Sequence, residues 1–269
     1  MIIAGIDIGG TNTHTVLMKG TKIISKFTLP GTSNTIAREC FGDLLKKASI
    51  EIRNIDKIIV TGGGSRRLDR DIFGKEFVNA EEIESLGLGG IYLSGKNSVF
   101  VVSMGTGTAF VSVKDKRIEH LGGSGVGGGT LWGLSKLILD KSIDEAEKLA
   151  MIGSCQNIDM TVNDIIGTDL CKIPKEATAA NFGKLDGEYK DADLASGMIN
   201  MVAESLGVMA YFASKTQNLE NEILICGRVI LNKMIKERIT ETIRLFGGRA
   251  IIPKDAEYCG AIGAALSLY

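Results

Sequence analysis

The chain has 269 residues, which is enough for one large or two small α/β domains around a substantial core. Its formal net charge of −1 argues against nucleic acid or an anionic membrane as the main partner. Hydrophobic residues make up 44% of the chain, yet no apolar run reaches the ~18 residues of a membrane span.

The first half of the chain is predicted to be rich in strands. Apolar runs and their periodicity indicate a meander of three strands, a helix, a buried strand, a short strand and a second helix. These elements cover, in that order, residues 2–8, 13–19, 22–28, 35–49, 58–60, 77–78 and 80–93. A second meander follows over 98–104, 107–113 and 117–121, and a helix then opens at Gly127.

The rest of the chain is predicted to be mainly helical. Apolar residues at helical spacing indicate a long amphipathic helix over 191–216. A strand (223–227), a helix (229–246), a strand (250–252) and a terminal helix from Glu257 follow.

The two meanders agree in length and in the placement of their turns, which predicts a duplicated core. Two βββαβα units are the ground plan of the actin, hexokinase and Hsp70 (ASKHA) superfamily. We therefore expect an α/β fold of two ribonuclease-H-like lobes, with residues 1–95 in the first lobe and 96–269 in the second.

Two turns rich in glycine and threonine, 7–14 and 105–108, each join two apolar strands. Glycine reaches unusual backbone angles and carries no side chain, so such turns present N–H groups to phosphates. We expect the two turns to close on the phosphates of one ATP molecule. The predicted nucleotide-binding residues are Asp7, Gly9, Gly10, Thr11, Asn12, Thr13, His14, Gly105, Thr106, Gly107 and Thr108.

A third glycine-rich segment, 122–130, directly precedes an apolar helix. Free N–H groups and the helix dipole at such a position attract an anion. A structural turn packed tightly against the sheet is the alternative. The glycines assigned here to nucleotide binding are Gly123, Gly125, Gly127, Gly128 and Gly129, together with Gly227 at the end of a predicted strand.

Acidic residues near these segments are candidates for metal binding and proton transfer. Asp7 ends the first strand, where a carboxylate can hold Mg²⁺ through water, although it can also cap the turn. Phosphoryl transfer to a hydroxyl benefits from a carboxylate base, and Glu81, Glu82 and Glu84 open the helix at 80–93. Acids stabilised by the helix dipole are the alternative, and spacing alone does not choose among the three.

The glycine-rich segments together resemble type II pantothenate kinases. The resemblance covers 7–11, 105–108, 121–134, 177–183 and 260–264, in order and over almost the whole chain. It implies that Glu82 is the catalytic base, because the family glutamate lies seven residues before a helical glycine. It also implies that Thr106 contacts pantothenate and that the protein is a homodimer, with helix 191–216 at the interface. Use of that helix in the core of the monomer is the alternative.

Two positions depart from the family pattern, and they hold the only two histidines of the chain. The family usually carries lysine at the position of His14 and arginine at the position of His120. A phosphate favours the protonated form of a nearby imidazole, so each histidine can replace the missing cation, with fewer donors and a charge that depends on pH. A purely structural histidine is the alternative at each position.

The sequence therefore predicts an ATP- and Mg²⁺-dependent kinase that phosphorylates the primary hydroxyl of pantothenate, the first step of coenzyme A synthesis. Glu82 would deprotonate the hydroxyl, and His120 would meet the transferred phosphoryl group. The alternatives are a kinase of another small hydroxyl compound such as an amino sugar, and a non-catalytic nucleotide or acyl-CoA sensor.

The five cysteines are scattered and form no Cys-x-x-Cys pair. This pattern predicts reduced thiols and a cytoplasmic protein, and we expect no secretory signal because Met1 leads directly into a strand. It also argues against an ATPase activator of a dehydratase, whose iron–sulfur site requires clustered cysteines.

Overall fold

The computed structural model describes residues 1–69, 74–171, 173–185 and 189–268. The first sheet contains β1 (Ile2–Ile8), β2 (Asn12–Lys19), β3 (Lys22–Pro30), β4 (Lys57–Thr61) and β5 (Phe77–Asn79), in the order β3-β2-β1-β4-β5. β2 and β3 form an antiparallel meander with β1, whereas β4 and β5 add parallel strands on its other side.

The second sheet repeats this plan. It contains β6 (Val99–Met104), β7 (Thr108–Lys114), β8 (Arg117–Ser124), β11 (Ile223–Cys226) and β12 (Ala250–Ile251), in the order β8-β7-β6-β11-β12. The strand directions also agree with those of the first sheet. A separate two-stranded sheet pairs β9 (Met160–Thr161) with β10 (Thr178–Ala180). The predicted duplication of an α/β core is confirmed.

Eight helices are described in the same parts of the chain. They are α1 (Asn34–Ala48), α2 (Glu82–Ser94), α3 (Gly128–Leu139), α4 (Ile143–Ala150), α5 (Val162–Ile166), α6 (Asp191–Thr216), α7 (Lys233–Leu245) and α8 (Cys259–Leu266). None of these helices combines the length and the hydropathy of a membrane span.

Each face of the first sheet is covered by a helix from a different part of the chain. Phe41 and Leu44 of α1 pack on one face, where the side chain of Ser33 caps the helix by accepting from the N–H of Ile36. Ala261 and Ile262 of α8 pack on the other face. The C-terminal helix therefore completes the core of the first sheet, and the lobe boundary near residue 95 stays a prediction.

Helices α2 and α8 pack against each other between the two sheets. Glycines make this approach possible, since a Cβ on Gly263 of α8 would overlap the carbonyl oxygen of Ser85 in α2. A Cβ on Gly89 of α2 would likewise overlap the carbonyl oxygen of Cys259. The distance between the two helices is thus set by backbone contacts.

A Gly263→Ala substitution is expected to destabilise the protein by about 3 kcal/mol or more, because neither backbone has room to move away. Gly133→Ala is the matched control, since Gly133 also lies inside a helix but a Cβ there meets open space. The control is expected to stabilise by about 0.5–1 kcal/mol. Urea unfolding measures both free energies, and equal effects of the two substitutions would contradict this account of the packing.

The segment between β8 and β11 carries α3 to α6. Most of the 26 residues of α6 are buried within this chain, against α7, α4 and α3. The segment 177–183 packs on α6, where Thr178 and Asn200 hydrogen-bond the carboxylate of Glu204, and Asn200 also donates to Asp159. The structure thus supports the alternative of a core role for α6, and homodimerisation through it stays a prediction.

Two predicted elements differ from the structure by more than two residues at one end. The strand predicted over 117–121 extends to Ser124, as part of β8. The helix predicted over 229–246 is a 3₁₀ turn over Arg228–Leu231 followed by α7, because the side chain of Asn232 accepts from the N–H of Ile235 and caps a new helix. That turn points the residues after β11 towards the space between the sheets.

Candidate active site

A cleft of about 1060 Å³ lies between the two sheets. The turns that follow β1 and β6, the start of α2 and the end of β11 all open into it. Most of the predicted site residues line it: Asp7, Gly9, Gly10, Thr11, Asn12, His14, Glu82, Gly105, Thr106, Gly107, Thr108, His120, Gly123, Gly128, Gly129 and Gly227. The fold thus brings together residues from both halves of the chain.

The two turns at 7–14 and 105–108, called the phosphate turns here after their predicted role, meet at Gly10 and Thr106, because a Cβ on Gly10 would overlap the hydroxyl of Thr106. Each turn is closed by its own backbone, with Gly9 donating to Asn12 (3.0 Å) and Gly105 to Gly107 (2.8 Å). The N–H groups of Gly10, Thr11, Thr106 and Gly107 donate to no described residue. These four donors suit the oxygens of a phosphate chain.

The third glycine-rich segment, 122–130, bonds to the second phosphate turn through its own backbone. The N–H of Gly128 donates to the carbonyl of Gly105 (2.8 Å), and that of Gly129 donates to Thr106 (2.9 Å). Gly125 and Gly127 do not line the cleft, and the N–H of Gly127 donates to the hydroxyl of Thr130 (3.2 Å). The prediction that these N–H groups are free for an anion is therefore wrong, and the segment holds the second turn in place.

Two threonines of the predicted site use their hydroxyls for hydrogen bonds to backbone carbonyls. Thr13 is fully buried outside the cleft lining, and its hydroxyl donates to the carbonyl of Gly31 (2.9 Å), which corrects its assignment to the nucleotide. The hydroxyl of Thr108 donates to the carbonyl of Val126 (2.9 Å). Thr106 and Thr11 remain the threonines whose side chains border the cleft without such a bond to the turn backbone.

Asp7 lies at the bottom of the cleft, between two glycines. A side chain on Gly62 or Gly260 would collide with its carboxylate, so both positions must be small. Burial raises the pKa of Asp7 to about 7, and the negative charge of Glu82 adds to this effect. A cation bound next to this carboxyl group would favour its ionised form, so the environment of Asp7 suits cation binding.

Glu82 is the one of the three helix-opening acids that lines the cleft. It is the first residue of α2. Glu81 precedes the helix, and Glu84 lies on the first turn but does not line the cleft. The carboxylate of Glu82 is exposed to the cleft and close enough to Asp7 to influence its pKa. The structure therefore singles out the glutamate that the resemblance selects, and its catalytic role stays a prediction.

The two histidines lie in different surroundings. His14 is 7% exposed, its Nδ1 lies 2.9 Å from the hydroxyl of Thr28, and its ring packs edge-on against Tyr258. Burial lowers the pKa of His14 to about 4, and the positive charge of Arg228 adds to this effect. His14 is therefore neutral near pH 7 when no phosphate is bound, and its predicted role as a phosphate-binding cation stays a prediction. His120 is exposed on β8 and faces the cleft, where its predicted role stays open to test.

Several lining residues were not predicted from the sequence. They lie between β11 and α7, on α4 and just before α8: Asp144, Glu147, Arg228, Asn232 and Glu257. Apolar side chains, including Leu131, Val229 and Ile235, also line the cleft. One signal was available, because Gly227 ends a buried strand and thereby marks a chain bend next to the site.

Two sheets of matching strand order with a cleft between them are the arrangement of the ASKHA fold. Solved structures superpose on this chain and support this fold. An activator of the 2-hydroxyisocaproyl-CoA dehydratase from Clostridium difficile, with bound ADPNP, superposes with a TM-score of 0.72 at 19% identity, covering 99% of this chain and 93% of that one. A ROK family glucokinase from Streptomyces griseus, in complex with glucose and AMPPNP, gives 0.62 at 14% identity and 98% of both chains.

Within that class, the chain belongs to the Fumble family, whose model matches residues 97–267. A type II pantothenate kinase of Bacillus cereus is 29% identical over 274 residues, covering 97% of this chain and 96% of the relative. A type II pantothenate kinase of Bacillus anthracis is 29% identical over 273 residues, with the same coverage. The resemblance to this group of kinases is confirmed.

Proposed function

We propose that the protein is a cytoplasmic kinase that transfers the γ-phosphoryl group of ATP to the primary hydroxyl of pantothenate. The observation that carries the proposal is the meeting of two phosphate turns, with four N–H groups free of bonds to described residues, beside Asp7 and Glu82. The similarity to type II pantothenate kinases supports the choice of acceptor.

The donor set in the cleft fits a magnesium ion that arrives with the nucleotide. Among the described residues, no group of three or more His, Cys, Asp and Glu side chains is arranged to hold a metal by itself. Mg²⁺ in kinase sites usually takes one or two carboxylates, substrate phosphates and water, and Asp7 offers one such carboxylate. When bound, the ion neutralises charge on the phosphates.

The remaining steps fall to the protein. The phosphates are oriented by the N–H groups of Gly10, Thr11, Thr106 and Gly107. The adenine base of the nucleotide contacts the apolar residues that line the cleft. Glu82 accepts the proton of the pantothenate hydroxyl as the oxygen attacks the phosphorus. His120 and Thr106 lie on the second-sheet side of the same cleft, where His120 would contact the phosphoryl group and Thr106 the acceptor.

Release of ADP measured with a panel of acceptors tests the proposal. The panel contains pantothenate, pantetheine, hexoses and amino sugars, with Glu82→Ala as the catalytic control. We expect release that depends on pantothenate and is lost in the variant. Preference for a sugar would assign the same fold to another acceptor, and ATP binding without turnover would indicate a sensor. ATP hydrolysis that needs no acceptor would favour an activator-like ATPase.

A further inference from the structure

The charges that line the cleft are unevenly divided. Its carboxylates belong to Asp7, Glu82, Asp144, Glu147 and Glu257. Against them, Arg228 is the one lysine or arginine among the described lining residues. A nucleoside triphosphate adds several negative charges to this space, so its binding requires positive charge from the protein as well as from a metal ion.

The backbone places Arg228 beside the second phosphate turn. Gly227 adopts a φ of 92°, and its N–H donates to the carbonyl of Ala256 (3.1 Å). A Cβ on Gly227 would overlap the backbone of Met104, the last residue of β6. Since β6 leads directly into the turn 105–108, the residue after Gly227 emerges next to that turn.

The positive charge of Arg228 also affects a residue of the first sheet. It contributes to the lowered pKa of His14, which lies on β2 directly opposite Asp7. Arg228 also lines the same cleft as His14 and both phosphate turns, although it follows the second sheet. This position in the cleft suits contact with a phosphate chain held by both turns.

The guanidinium group is free to take an anion. Arg228 is exposed, and its side chain forms no hydrogen bond or ion pair with the described residues, although five carboxylates border the same cleft. Lys26, by contrast, pairs with Asp255. A planar guanidinium offers paired N–H donors that match two phosphate oxygens at once.

We propose that Arg228 binds the β- and γ-phosphates of the nucleoside triphosphate and is the main protein cation of the site. The inference rests on the proposed kinase function. It assigns to an arginine after β11 the role that the sequence suggested for His14. His14 then remains a neutral side chain that supports the turn through Thr28 and Tyr258.

Binding of two nucleotides to purified variants tests the inference without any acceptor. The dissociation constants of ADPNP, with Mg²⁺, and of AMP are measured by calorimetry at one ionic strength. Arg228→Gln is expected to weaken ADPNP by about 10- to 100-fold, as for the loss of a charge-assisted hydrogen bond, and AMP by less than about twofold. Arg228→Lys is expected to fall between the wild type and Arg228→Gln, because it keeps a point charge but loses the paired donors.

Lys233→Gln is the matched control. It removes one positive charge five residues further along the chain, at the start of α7, outside the cleft lining. We expect it to leave both constants unchanged. Equal losses in Arg228→Gln and Lys233→Gln, or equal losses for ADPNP and AMP in Arg228→Gln, would overturn the inference. ADPNP binding by Arg228→Gln as tight as by the wild type would overturn it too, while leaving the kinase proposal intact. A wild type that binds no ADPNP would overturn both.

Discussion

Replacing Glu82 with glutamine is expected to lower the rate of phosphoryl transfer by about 100- to 10,000-fold. Glutamine keeps the size of the side chain but cannot accept the proton of the attacking hydroxyl. The phosphate turns do not involve Glu82, so we expect the affinity for ADPNP to change by less than about threefold. Steady-state kinetics and calorimetry on the same preparation measure the two effects.

Glu84→Gln is the control for this substitution. It removes one carboxylate from the same helical turn, but Glu84 does not line the cleft. We expect its turnover to remain close to that of the wild type. A similar loss of turnover in both variants, or a loss of less than about tenfold in Glu82→Gln, would show that Glu82 is not the base.

An Asp7→Asn variant is expected to be inactive and yet more stable than the wild type at pH 8. The folded-state pKa of Asp7, about 7, is above its ordinary value of 3.8, so the folded protein binds this proton more tightly than the unfolded chain. Stability is therefore lost as the pH rises from about 4 to 7. The full shift corresponds to about 4 kcal/mol, and an asparagine, which does not ionise, avoids this loss.

Urea unfolding at pH 8 and at pH 5 measures this effect. The gain in the free energy of unfolding for Asp7→Asn is expected to be largest at pH 8 and to shrink at pH 5, where the wild-type carboxyl is mostly protonated when folded. Asp115→Asn, in the exposed turn between β7 and β8, is the control for the loss of a carboxylate from the surface. A destabilised Asp7→Asn variant at pH 8 would contradict the environment described for Asp7.

Asp7 would then be a residue whose function opposes stability. Burial between Gly62 and Gly260 and the nearby charge of Glu82 hold a carboxylate where it is unfavourable without a cation. Such perturbed groups are typical of catalytic clefts. None of these neighbours adjoins Asp7 in sequence, so the raised pKa was not predictable from the motif around residue 7.

The sheets, by contrast, were largely predictable, because they depend on local periodicity. The strand and helix predicted over 2–8 and 191–216 have the same bounds in the structure, and the repeated meander correctly indicated the duplicated core. The helix start at Asn232 was missed, although asparagine is a common N-cap, because the apolar pattern continues through the 3₁₀ turn before it.

The candidate site was predictable where glycines mark it and not where a single side chain enters from a distant element. Spacing alone left Glu82 among three nearby acids and the resemblance selected it, whereas the start of α2 shows that it is the one that lines the cleft. Arg228 belongs to no motif, and it reaches the site through the bend at Gly227. His14 does lie at the predicted turn, but it packs against Tyr258, 244 residues further on, and its burial lowers its pKa.

Phosphorus NMR of the reaction products tests the central claim most directly. The protein is incubated with Mg²⁺, ATP and pantothenate, and the Glu82→Gln variant is treated in parallel. The account predicts a new phosphomonoester signal, coupled to the methylene protons beside the primary hydroxyl of pantothenate, that appears with ADP and is nearly absent from the variant. Nucleotide that remains intact, or that is split to ADP and inorganic phosphate alone, would contradict it.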